Sequence, residues 1–255
     1  MGTGLPDGLF RRGASRIVLK PFLNVIEVKS MGKIDEFEQK LIKRGMTDED
    51  FVEYGKLLKR VRGNFLKRQH CYITATQFPR KYAEQALKLI QYGLDQFEDD
   101  WFSTYTSYLH MARIYERDGK YQKAFEYYQL ARAALGVDHP DYVAELSKDL
   151  MWMKLHVDAF RYSKELEDYL LCVENEGNEF SKSFINTEFK LAVAGIVIAM
   201  YYGKMDEAKK LHQTAQQICK PNYIGKLYEI LAYHRYTETL KTTPESMAFL
   251  RKLKL

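Results

Sequence analysis

Six histidines, three cysteines and 34 acidic residues are the chain's stock of metal-ligating, nucleophilic and proton-transferring groups. Spacing decides what they can do. A helical zinc site of the HExxH type needs two histidines one turn apart with an acid beside them, and His70, His110, His139, His156, His212 and His234 contain no such pair. His70 and Cys71 are adjacent, which on a helix aims them about 100° apart, away from a shared ion. Phosphate cradles of the GxxxxGK[ST] and GxGxxG types are absent from the sequence, as is the GxSxG turn of a serine nucleophile. These patterns predict no catalytic residue, no cofactor and no metal, and hence a protein that is not an enzyme.

One segment is chemically loaded by charge alone. "KLLKRVRGNFLKR" carries Lys56, Lys59, Arg60, Arg62, Lys67 and Arg68 with no acid among them. Read functionally, it is a phosphate-contacting face for nucleic acid. The competing reading, preferred here, is a solvated helix face balanced by Asp48, Glu49, Asp50 and Glu53. The hairpin before it lacks the third helix of a helix-turn-helix domain.

The elements that must position these groups follow from composition and periodicity. The 255 residues are 46% hydrophobic and 14% aromatic, enough to bury a sizeable core, and 15 glycines with six prolines are few for that length. A net charge of +5 permits a polyanionic partner without demanding one. Cys71, Cys172 and Cys219 are odd in number and form no CxxC pair, which reads as reduced core thiols and a cytoplasmic location. Leu191 to Tyr202 is the longest apolar run, but a bilayer span needs roughly 20 residues. It reads as a helix buried on all sides, with no membrane partner.

Residues 1–30 differ from the rest. Pro21, Asn24 and Glu27 interrupt any secretory h-region, and Phe10 to Lys20 only partly satisfies a mitochondrial-type presequence. Glu27 and Val28 can be encoded by a purine-rich GAG-GTG ahead of Met31, so a translational start at Met31, in a bacterial or phage gene, is a further expectation. From Lys33 the chain turns helical, and residues 31–66 read as a helical hairpin. Ile34, Phe37, Leu41 and Ile42 line its first helix up to Gly45; Thr47 with Asp50 caps its second, which buries Phe51, Tyr54, Leu58 and Val61.

Residues 67–241 carry a repeating pattern. Starting at Tyr105, the sequence places Tyr108, Met111, Ala112 and Tyr115 on a first helix, Gly119 in a turn, and Ala124, Tyr128 and Ala131 on a second. Starting at Phe189, it places Ala192, Ile196 and Ala199, then Gly203, then Ala208, His212 and Ala215. Weaker copies start at Lys67, with Ile73, Thr74, Ala86, Ile90 and Gly93, and at Pro140, with Val143, Leu146, Ser147, Ala159 and Leu166. Polar "ENEGNEFSKS" accounts for the longer step before the last copy, "YIGKLYEILAYHRYTETL" reads as a capping helix, and residues 242–255 as a short final helix. The pattern resembles the tetratricopeptide repeat, in which small residues let paired helices approach closely and aromatics fill the space to the next pair.

That resemblance implies an all-α fold, a TPR-like right-handed α-solenoid of antiparallel helix pairs. It also implies a concave groove lined by the first helices, a surface for protein or peptide partners rather than for catalysis. The matching positions here are Thr106, Leu109, Arg113, Glu116 and Arg117; Asp141, Ala144, Lys148, Met151 and Trp152; and Lys190, Val193, Val197, Met200 and Tyr201. Arg113, Arg117, Lys148 and Lys190 beside Trp152 suit an acidic partner with an apolar anchor. Leu109 and Arg113 depart from the lysine and asparagine of the family's chaperone-tail clamp, which makes that subclass a poor fit. A regulator or scaffold is the expected role; nucleic-acid association and an inhibitory or immunity-type protein are the alternatives.

Overall fold

The computed structural model describes residues 32–98, 101–136, 139–176 and 185–218. Expectations for residues 1–30, the polar loop, the capping helix and the C-terminal residues fall wholly or mostly outside these ranges. Among the described residues the chain is all-helical, with no strand.

The first pair, α1 (Lys33–Arg44) and α2 (Asp48–Leu58), follows the sequence signals at its caps, but α2 stops at Leu58, so Val61, expected on its buried face, lies in the link to the next helix. Gly45 stops α1 at φ 83°, with its N–H donating to the Leu41 carbonyl at 2.8 Å. Thr47 and Asp50 close the reciprocal cap of α2, and Arg44 grips the same carboxylate at 2.6 and 2.8 Å. The Arg44 guanidinium holds Asp50 down at about 2.

Four further pairs follow: α3 (Asn64–Thr76) with α4 (Ala83–Gln96), α5 (Trp101–Arg117) with α6 (Tyr121–Leu135), α7 (Pro140–Val157) with α8 (Lys164–Glu176), and α9 (Ile185–Tyr201) with α10 (Met205–Ile218). Each pair also touches its neighbour. Helix α5 rests on α3 and α4, α7 on α6, and α9 on α7 and α8. Small residues make the close approaches: Ala112, Ala124, Ala131 and Ala208 are fully buried, and Ala215 nearly so. Gly119 and Gly203 take positive φ in the three-residue turns after α5 and α9, a conformation that costs a residue with a Cβ.

Two apolar clusters form the interior, and α5 is the wall between them. Met111 and Ile114 face the cluster of α1 to α4, whereas Tyr105, Leu109 and Ala112 face that of α5 to α10. Helix α9, the long apolar run, is largely buried through Val193, Ala194, Ile196 and Val197, but Tyr201 and Tyr202 are exposed, so it is not enclosed on all sides. No described helix is long and apolar enough to cross a membrane.

The copy beginning at Pro140 departs from its expected register. Helix α7 runs on to Val157, and Ala159, expected to pack within a second helix, lies in the turn at φ 49° with Phe160 beside it at φ 57°. Ala159 therefore holds no packing position equivalent to that of Ala124, which is fully buried on α6. Leu166, on α8, is fully buried.

Candidate functional site

Along one face of α7 the residues Glu145, Asp149, Trp152 and His156 recur at helical spacing. This face meets α5, α6 and α9 at a cluster of charges. Lys190 of α9 donates to Asp149 of α7 at 2.6 Å, and the Tyr128 hydroxyl of α6 donates to Glu116 of α5 at 2.8 Å. The charged ends lie deep among protein atoms, although 12% and 21% of the Lys190 and Asp149 side chains remain accessible.

Electrostatics divide the two carboxylates. Burial acts to raise the Asp149 pKa, but Lys190 at hydrogen-bond distance outweighs it and holds the group below the usual carboxylate range. Glu116 has no such close cation, and burial pushes it up. Lys190 is held above the ordinary lysine value: burial opposes its charge, while Asp149 and then Glu116 favour it. His156 stacks on Tyr121 with ring centroids 4.1 Å apart and meets the edge of Trp152 at 4.8 Å. Burial, aided by Lys190, pushes it down to about 4, so it is neutral near pH 7.

The expected groove residues separate into three groups. Leu109 is core, and the Thr106 hydroxyl donates to the Phe102 carbonyl one turn back. Arg117 donates to the Phe78 carbonyl at 3.0 Å, tying the end of α5 to the link between α3 and α4. Lys148 is buried with Glu145 as its ion partner, and Lys190 is neutralised by Asp149. Trp152 is half-buried, its ring 6.0 Å from Phe189. Arg113 alone among the expected cations is exposed with no hydrogen bond or ion pair among the described residues. Its charge nevertheless acts on Tyr105, Glu116, Tyr128 and Asp149, which places it at the edge of the cluster.

The basic segment is likewise split. Arg68 is a buried strut and leaves the candidate phosphate-contacting set: its guanidinium donates to the Phe97 carbonyl, to Ser103 at 3.1 Å and to Thr104 at 2.7 Å. Lys67 lies over the Phe97 ring at 5.3 Å and Lys56 pairs with Glu53 at 3.4 Å. Lys59, Arg60 and Arg62 are exposed and unpaired among the described residues. Of the acids expected to balance the segment, Glu53 does so through Lys56, whereas Asp50 is taken by Arg44.

Reading the sequence for basic groove positions passed over Asp149, Tyr128 and His156. The repeat of Glu145, Asp149, Trp152 and His156 along α7 was the available signal; the meeting of Asp149 with Lys190, 41 residues away, was not. No protein-family model matches the chain, and neither a curated protein nor a solved structure matches it.

Proposed function

We propose that the chain is a non-catalytic scaffold or regulator of tetratricopeptide type, its helix pairs stacked as a right-handed solenoid, which holds an acidic protein or peptide segment on the face of α5, α7 and α9. The stacking is supported by the packing of each pair on the next and by the buried alanines between paired helices. The observation that carries the binding reading is Arg113. It is an exposed guanidinium with no hydrogen bond or ion pair among the described residues, set beside a cluster whose other cations are already matched. A planar donor fork in that setting fits a carboxylate, and half-buried Trp152 on the neighbouring helix supplies apolar surface for an anchor.

The test is an array of twelve-residue peptides with acids flanking an aromatic, beside amide-substituted counterparts, probed with wild type and Arg113→Glu. Lys148 is left alone, because its burial makes charge reversal there a folding perturbation. Wild type should retain the acidic peptides, and Arg113→Glu should weaken them at least about tenfold, the weight of one charge-assisted hydrogen bond. Equal retention by the two proteins refutes the assignment.

A second reading rests on Lys59, Arg60 and Arg62, which stand unpaired among the described residues at the turn from α2 into α3 and favour a polyanion. A labelled oligonucleotide that binds wild type with a steep salt dependence, and loses affinity in Lys59→Glu/Arg62→Glu but not in Arg113→Glu, would move the function there.

A further inference from the structure

The first helix is lightly anchored. Of its side chains only Leu41 is fully buried, and α1 packs on α2 and α3 alone among the elements it touches closely. Where α1 meets α3, a polar cluster stands beside the apolar one that holds Leu41, Cys71 and Tyr72. Asp35 and Glu38, one turn apart on α1, face His70 from α3, and one donor atom from each lies within 4.8 Å of the others. His70 Nδ1 stands 2.9 Å from Glu38 Oε1, and the buried Tyr54 hydroxyl donates to the same oxygen at 2.5 Å.

We propose that Asp35, Glu38 and His70 form a binding site for a first-row divalent ion of zinc type that clamps α1 onto α3. Two carboxylates and an imidazole nitrogen are the hard and borderline donors such an ion takes, and an imidazole disfavours magnesium and calcium. The dimensions agree. Ligand atoms about 2.0 to 2.1 Å from a tetrahedral ion lie roughly 3.4 Å apart, so the Glu38 and His70 atoms, 2.9 Å apart, must open by about half an ångström, and the Asp35 carboxylate, within 4.8 Å of both, is in reach of the same ion. Tyr54 plays the part of an outer partner that orients a ligating carboxylate. Three protein ligands leave a fourth position for water. On binding, His70 coordinates through Nδ1 and any proton held there passes to solvent, so uptake weakens as the solution is acidified.

In the chain His70 stands beside Cys71, but in the fold its partners are on α1, more than thirty residues earlier. Cys71 is buried in the core of the first cluster and takes no part. The proposal stands independently of the peptide-binding face, because the two lie on different helices.

The full chain, stripped with EDTA and desalted, is titrated with ZnCl2 by calorimetry and with CoCl2 by visible absorption. One equivalent should bind saturably with a Kd on the order of micromolar or tighter, and the melting temperature should rise with the ion present. His70→Gln should weaken binding by at least about 100-fold and Asp35→Asn by about tenfold, each judged against circular dichroism of the metal-free variant. Asparagine at 35 retains an acceptor for the Gly32 N–H, so that variant keeps the helix start even if His70→Gln loosens the fold. No saturable uptake by wild type overturns the site. Wild-type affinity in either variant overturns the ligand set.

Discussion

Replacing Lys190 by methionine tests whether the cluster between α5, α7 and α9 is held together by charge. The substitution keeps most of the side-chain volume and removes the ammonium that donates to Asp149 at 2.6 Å. It leaves Asp149 enclosed with no close cation and Glu116 without its nearest positive neighbour on α9. Removing one partner of a buried pair costs about 3 to 5 kcal/mol, and the residual accessibility of 12% and 21% places this pair at the lower end. A loss of about 3 kcal/mol corresponds to a melting temperature lower by about 6 to 12 °C in a chain of this size. The assay is urea unfolding followed by circular dichroism at pH 7, repeated with Asp149→Leu and with the double variant. If charge is the reason, the double variant recovers about 2 kcal/mol relative to the sum of the singles. The penalty must also shrink in acid. The folded-state pKa of Asp149 lies below its unfolded value of about 3.9, so the stability it contributes is present above that value and is lost as pH falls through the lower one. A cost below about 1 kcal/mol for Lys190→Met, or additive single effects, would show that water already screens the pair and that the cluster does not restrain these helices.

Further outcomes follow from the same structure. Gly93→Ala should destabilise by about 1 kcal/mol despite the helix preference of alanine, because the new Cβ would stand 3.0 Å from the Cys71 Cβ where α4 crosses α3; a higher melting temperature refutes the close packing. Arg68→Leu should cost about 3 kcal/mol by orphaning the Phe97 carbonyl and the Ser103 and Thr104 hydroxyls, while leaving oligonucleotide binding unchanged; lost binding in a folded variant would return Arg68 to the phosphate-contacting set. His110 and His156 sit at about 4, below their unfolded value of about 6.5, so the unfolded chain takes up protons first as pH falls. Their contribution is complete above about 6.5 and declines down to about 4, at up to about 1.4 kcal/mol per pH unit for each; Glu116, raised, acts oppositely above about 4.3. Two histidines outweigh one glutamate, and a stability curve flat between pH 6.5 and 4.5 would contradict this account.

Much of the local structure was legible in the sequence, because caps and turns depend on residues a few positions apart. Gly45 ending α1, Thr47 with Asp50 starting α2, Gly119 and Gly203 in their turns, and the buried alanines of the units at Tyr105 and Phe189 follow from that short-range logic. The unit at Pro140 shows its limit. Nothing local to Ala159 declares that α7 continues to Val157 and that the turn takes up the alanine.

The sequence by itself determined the all-helical character of the described residues, the caps and glycine turns set by near neighbours, and which cations were on offer. Only the tertiary structure decided which of those cations are free. Lys148 and Lys190 find acids, Arg68 is drawn inside, and Arg113, Lys59, Arg60 and Arg62 remain open among the described residues. It likewise brought His70 to two carboxylates on another helix. The physical reason is that a charge is satisfied by whatever stands within about 4 Å of it, and helix packing, not spacing along the chain, sets that neighbourhood.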